Sequence, residues 1–187
     1  MTSPLRTDRL IMRRWTGADR GPFAALNADP QVMEHFPAPL TRRESDALVD
    51  RIERRFEESG FGFWALEVAG TGEFVGFTGL SVPRFDAHFT PAVEIGWRLA
   101  RSAWGHGYAT EAALRALGHA FDEARLDEVV SFTSAPNARS QAVMKRIGMA
   151  YDPSGDFEHP LVPDGHRLRH HVLYRLTATA WKDVRPW

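Results

Sequence analysis

Between residues 104 and 110 the chain reads Trp-Gly-His-Gly-Tyr-Ala-Thr, with glycines at 105 and 107 just ahead of a helical pattern. Glycine lets the backbone turn sharply and brings N–H groups forward without a Cβ in the way. The helix that follows adds its own unpaired N–H groups and the positive end of its dipole. Together these form a seat for a phosphate or diphosphate. Glycine pairs also end strands and cap helices, so an ordinary turn competes with the anion seat at this point. Two common phosphate loops are excluded. No Gly-Lys-Ser/Thr follows, as a Walker A loop requires; against a Rossmann fingerprint, the third glycine is missing, the preceding strand is not the first and no crossover pattern surrounds the loop. A phosphate-bearing ligand other than a simple nucleotide fits better; a nucleotide binder using this loop would let ATP compete.

The elements that must position the loop follow from periodicity. Arg9 to Trp15 reads as a first strand, with Leu10, Met12 and Arg14 alternating. Residues 18–28 and 41–58 read as helices. The second opens on the capping box Thr41-Arg-Arg-Glu44 and carries Leu48, Ile52 and Phe56 at four-residue spacing. Strands over 63–68 and 73–82 meet at the turn Gly70-Thr-Gly72, and 92–99 forms another. Ala109, Ala112, Ala113, Ala116, Leu117, Ala120 and Phe121 then mark one helix face, small enough to lie close to a sheet. A strand over 129–133 precedes a helix over 137–147, with Asn137 as N-cap and Gly148 as its stop. Residues 153–166 read as irregular and 170–176 as a last strand. This order is an α/β or α+β layout with one mixed sheet in one domain over 1–187.

Composition narrows the function. The chain has 187 residues, 43% hydrophobic and 25% charged, with a formal net charge of −1. No block of like charge offers a nucleic-acid surface, and no apolar run reaches a membrane span. The start, Met1 to Leu10, lacks the apolar core of a secretion signal, so a cytoplasmic location is expected. Cysteine is absent, which excludes disulfides, thiolate metal sites and an acyl-cysteine intermediate. His166, His170 and His171 lack acidic or thiol company at a zinc-like spacing, so no metal is expected. His35, His88 and His159 fall in loops that could line a pocket. The tryptophans at 15, 64, 97, 104, 181 and 187 read as packing residues.

Four segments in order, Val93-Glu-Ile-Gly-Trp-Arg-Leu99, Trp104-Gly-His-Gly-Tyr-Ala-Thr-Glu111, Asn137-Ala-Arg-Ser140 and Arg146-Ile-Gly-Met149, resemble the GNAT superfamily of acetyltransferases. The RimJ/RimL-like N-acetyltransferases are the most similar branch. Thr7 to Arg13 and Phe74 to Gly79 extend the likeness over nearly the whole chain. The resemblance implies a mixed, mostly antiparallel sheet flanked by helices, with a splayed strand pair at an acetyl-CoA site. The family's Gln/Arg-x-x-Gly-x-Gly/Ala loop falls on Trp104 to Ala109, with Trp104 in the Gln/Arg place. Gly105, His106, Gly107, Tyr108, Ala109 and Thr110 are thereby implied to hold the diphosphate. The strand edge at Trp97, Arg98 and Leu99 would pair with the pantetheine amides, and Asn137 would meet that arm. Arg101, Arg139, Lys145 and Arg146 flank these segments and could pair with phosphates.

Acetyl transfer to an amine needs a base, a stabilised oxyanion and a proton for the departing thiolate. Glu94 stands in an otherwise apolar run, where burial would raise its proton affinity toward the working range. With the resemblance, that makes it the expected base. Met144 occupies the place where many family members have a proton-donating tyrosine, and Ser140 matches the serine of the RimJ/RimL-like branch. A backbone N–H of the splayed strand would meet the oxyanion. The expected activity is direct transfer from acetyl-CoA to a primary amine, either a protein or peptide N-terminus or a small amine such as a polyamine, amino acid or antibiotic. The rival is a non-catalytic CoA-binding regulatory module. A homodimer is compatible with the resemblance.

Overall fold

A computed structural model describes residues 4–184; Trp187 lies outside the described residues. In chain order the elements are β1 Leu5–Arg6, β2 Leu10–Arg13, α1 Arg20–Ala28, α2 Arg42–Ser59, β3 Phe63–Val68, β4 Phe74–Ser81, β5 Glu94–Leu99, α3 Tyr108–Gly118, β6 Glu128–Ser134, α4 Ala138–Arg146, β7 Ala150–Tyr151, β8 Phe157–Glu158, β9 His170–Thr177 and α5 Ala178–Val184. They build one sheet in the order β1-β2-β3-β4-β5-β6-β9-β7, with β8 also on β9. Neighbouring strands are antiparallel except β5 and β6, which run parallel. The mixed, mostly antiparallel sheet flanked by helices is the fold expected from the sequence.

Local chemistry explains the helices. At the start of α2, Thr41 Oγ1 accepts the Glu44 N–H at 3.3 Å while the Glu44 carboxylate accepts the Thr41 N–H at 2.8 Å. Gly60, at φ 76°, ends it. The buried stripe of α2 runs through Ser45, Val49, Ile52 and Phe56, one position off the expected Leu48, which is only partly buried. In α3, Ala112, Ala113, Ala116 and Leu117 have no exposed surface. Those small side chains let the helix lie against β4 and β5. The helix then runs into a wider turn over His119–Glu123, which carries Ala120 and Phe121 into the same core.

Two expectations are corrected. The first strand ends at Arg13, because Arg14 turns out to pair with Glu53 and Glu57 at 2.7 and 2.6 Å. The chain after β9 forms α5, where no helix is expected above; Thr177 Oγ1 caps it by accepting the Ala180 N–H at 3.2 Å, and Trp181 buries to 1% exposure there and stacks on Phe121 at 5.7 Å between centroids.

Candidate active site

β5 and β6 touch at one end only. Their single register pair is Glu94 with Val130, and the Val130 N–H donates to the Val93 carbonyl at 2.9 Å. The buried Ser131 hydroxyl donates to the Ile95 carbonyl at 2.9 Å, closing the fork. Past Ile95 the two strands part. Backbone groups alternate sides along a strand, so Trp97 and Leu99 face the same gap as Val93 and Ile95. The Leu99 carbonyl is taken by the Trp104 indole N–H at 3.0 Å. The Trp97 amide is left as an open edge. Arg98 turns the other way: a Cβ on Gly76 of β4 would lie 2.2 Å from the Arg98 carbonyl oxygen. The expectation that the Arg98 backbone joins the free edge is therefore corrected; only Trp97 and Leu99 face the gap.

The glycine loop closes the wide end of this gap. Gly105 and Gly107 both sit at φ 80°, a left-handed conformation that glycine adopts without a Cβ penalty. α3 begins at Tyr108, and no side chain caps it. Its first N–H groups and its positive dipole end are thus presented forward. The Arg9 guanidinium stands beside this terminus, bonded to Glu111 at 2.5 Å and 4.9 Å from the centre of the Tyr108 ring. Gly105, Gly107, Tyr108, Ala109 and Thr110 line a groove of about 1870 Å³, as do Trp97 and Leu99. His106 is exposed, stacks on Tyr108 at 5.5 Å and is not among the groove-lining residues. Uncapped amides, an open strand edge and a nearby guanidinium are the donors that an acyl-CoA's diphosphate and pantetheine amides call for.

The other wall comes from α4. Asn137 Oδ1 accepts the Ser140 N–H at 3.2 Å, and its Nδ2 donates to Thr133 Oγ1 at 2.9 Å, tying the helix to the end of β6. Ser140 lines the groove, and its hydroxyl has no partner among the described residues. Ser134 Oγ, also on the lining, is buried without a partner among the described residues. Met144 is buried at 1% exposure. Of the four flanking cations, Arg139 lies over the Trp104 ring at 4.4 Å and Arg146 lines the groove, whereas Arg101 bonds Gln31 and Lys145 is not among the groove-lining residues.

Glu94 stands at the fork on the opposite face of β5. It is half-buried and has no hydrogen bond or ion pair among the described residues. Burial pushes its carboxyl up to about 7, against a smaller opposing pull from the Arg55 guanidinium. Arg98 shares that face. Its Nη1 donates to Asn27 Oδ1 at 2.6 Å, Phe36 covers it at 4.1 Å, and burial lowers its pKa to about 10. The Arg98 side chain as a groove wall was missed from the sequence, as were Ser131 and Arg9. His35 and His159 line the groove and His88 does not. Among the described residues no group of three or more His, Asp or Glu side chains could hold a metal.

Residues 9–150 match the family described as Acetyltransferase (GNAT) domain. The chain belongs to the GNAT acetyltransferases. It is an acetyl-CoA-dependent acetyltransferase with the fold and donor that membership carries. It is 34% identical to the uncharacterised Bacillus subtilis protein YkkB over 148 residues, 79% of this chain and 85% of that one. It is 31% identical to an Aspergillus fumigatus FsC-acetyl coenzyme A-N(2)-transacetylase over 163 residues, 83% of this chain and 68% of that one. An Agrobacterium tumefaciens acetyltransferase of known crystal structure superposes with a TM-score of 0.76 at 28% identity, covering 94% of this chain and 95% of that one. No helix of the GNAT chain described here is long and apolar enough to cross a membrane.

Proposed function

We propose that this enzyme transfers acetyl directly to a primary amine, with Glu94 as the base. The carrying observation is the fork itself: an open strand edge on one side of β5 and an unpaired carboxyl at the same fork on the other. Acetyl-CoA, when bound, supplies the activated acetyl group and a thiolate leaving group. The uncapped turn from Gly105 to Thr110 and the Trp97 edge bind and orient the donor, and Asn137 positions α4 beside it. Glu94, ionised above about pH 7, takes the proton of the attacking amine directly or through one water. The Trp97 N–H, the first strand amide past the fork, faces the developing oxyanion. The free Ser140 hydroxyl gives the sulfur its proton.

Met144, Ser140 and Trp104 together support assignment to the RimJ/RimL-like branch, whose members favour peptide N-termini. The Aspergillus relative's name, an acetyl coenzyme A-N(2)-transacetylase, supports a nitrogen acceptor, and a small amine is the other acceptor to test. Calorimetry with acetyl-CoA, followed by thiol release against a panel of peptides and small amines, tests the proposal. Micromolar donor binding and amine-dependent thiol release are expected; well-folded protein that binds no acetyl-CoA refutes it.

A further inference from the structure

We propose that the acceptor amine carries a carboxylate, and that Arg98 is the residue that reads it. This rests on the acetyl-transfer reading above and names the substrate class of the same site. Four other half-buried arginines of this protein are held by carboxylates. Arg13 holds Asp19 and Glu67, Arg14 holds Glu53 and Glu57, Arg20 holds Asp46 and Asp50, and Arg175 holds Glu128 and Asp152. Each of these four has two carboxylates although each is less buried than Arg98; Arg55, also less buried, has no carboxylate bonded to it among the described residues and donates to the Val82 carbonyl at 3.2 Å. Arg98 has none among the described residues, in a chain with 24 acidic residues to draw on. A buried cation without a counterion is costly. The omission marks a place where the counterion arrives from outside.

The orientation of the guanidinium says what shape that counterion has. Asn27, itself held by Ser45 at 3.0 Å, takes the Nη1 hydrogen of Arg98. Among the described residues the buried Nε–H has no partner, and Nη2 bonds none either. Nε and Nη2 form the side-on edge of the fork, whose two parallel donors match the two oxygens of a carboxylate. The guanidinium carbon lies 4.1 and 5.5 Å from the centres of the Phe36 and Phe77 rings, so two aromatic side chains pack against the cation while its Nε edge stays unbonded. Phe36 is exposed at 37%, so its ring is the one that can tilt to admit the ligand. Arg98 lines the same groove as Glu94. The two share a strand face four residues apart, about 13 Å along β5, so an acceptor that meets both is a chain of several bonds bearing amine and carboxylate at its ends.

The test uses straight-chain ω-amino acids of two to six carbons, each paired with its neutral carboxamide and its aminoalkylphosphonate, in a thiol-release assay. A second measurement is calorimetric titration of the N-acetylated ω-amino acids in the absence of acetyl-CoA, which reads the anion seat without the chemistry. The carboxylates are expected to exceed the carboxamides in kcat/KM by about 10- to 100-fold. Arg98→Gln and Arg98→Lys, checked for folding by circular dichroism, are expected to erase that ratio while leaving acetyl-CoA affinity unchanged. Phosphonates that outrun carboxylates would overturn the carboxylate assignment. So would equal rates for carboxylate and carboxamide, or an equal loss of both in Arg98→Gln; amine-dependent thiol release would then still stand. Arg98-dependent binding of the acetylated acids without any thiol release would keep the anion seat and sink the transfer reading instead.

Discussion

Glu94→Gln should make the enzyme nearly inactive and, above neutral pH, more stable. Both effects have one cause. Burial lifts the carboxyl from its ordinary 4.5 to about 7, because the folded surroundings disfavour the ionised form. The sign follows from linkage: the folded state holds this proton more tightly than the unfolded chain, so stability is lost as pH rises from 4.5 through about 7. At about 1.4 kcal/mol per pH unit, the gap sets a ceiling of about 3 kcal/mol. Water reaching the carboxyl through the groove brings the realised penalty to about 1–2 kcal/mol. Glutamine has no such penalty. For a domain of this size the variant should melt about 2–8 °C above the parent at pH 8, with the difference fading toward pH 5. Turnover should fall by about 100- to 10,000-fold, and the parent's kcat/KM should drop tenfold per pH unit below about pH 7, a limb the variant lacks. Differential scanning calorimetry at the two pH values and a pH–rate profile measure these quantities. Equal melting at pH 8, or a rate limb near 7 that survives in Glu94→Gln, refutes the reasoning.

Three more outcomes follow from the groove. Gly107→Val forces a β-branched residue to φ 80°, at a strain of about 1–2 kcal/mol, although the nearest atom to the new Cβ, Arg9 Nη2 at 3.5 Å, leaves room for it. The protein should fold and bind acetyl-CoA at least about tenfold more weakly; unchanged affinity by calorimetry removes the diphosphate seat. Ser131→Ala strips the Ile95 carbonyl of its buried donor, so urea denaturation should show a loss of about 1–2 kcal/mol, with slower turnover as the fork loosens. Ser140→Ala should lower kcat about tenfold at pH 7 and much less above about pH 8.5, where a thiolate leaves without a proton. A deficit equal at both pH values clears the hydroxyl of the donor role.

Much of this architecture could be read before any coordinates. The capping box at Thr41, the alanine face of α3 and the N-cap at Asn137 are local signals, and local hydrogen bonds realise them. Two-residue strands such as β1, β7 and β8 carry no periodicity; only their partners make them strands. α5 begins immediately after β9, where Thr177 Oγ1 caps it by accepting the Ala180 N–H at 3.2 Å and burial of Trp181 anchors it. At the site, Glu94 stood out because a carboxylate in an apolar run is costly. The direction of the Arg98 backbone depends on register with Gly76, a fact of pairing that single-strand patterns do not contain. Its missing counterion was still less visible, since an absence among neighbours requires knowing the neighbours.

The two reactants can be kept apart and yet meet because β5 has a period of two. Its alternate backbone amides face the gap toward β6, and its alternate side chains face α1 and α2. Trp97 and Leu99 therefore present main chain to one ligand, while Glu94 and Arg98 present side chains toward the other. Gly96, between those two, carries no side chain; a Cβ there would come within 3.3 Å of the Phe63 ring. A one-residue slip of β5 would exchange these roles at every position and also drive Gly76 against a different backbone. The close backbone packing that only glycine permits at position 76, where a Cβ would lie 2.2 Å from the Arg98 carbonyl oxygen, therefore acts beyond packing: it fixes the register that assigns donor and acceptor to opposite sides of a single strand. Gly76→Ala should accordingly lose the fold, and with it acetyl-CoA binding and turnover together, where substitutions at Arg98 or Gly107 lose one ligand and spare the other.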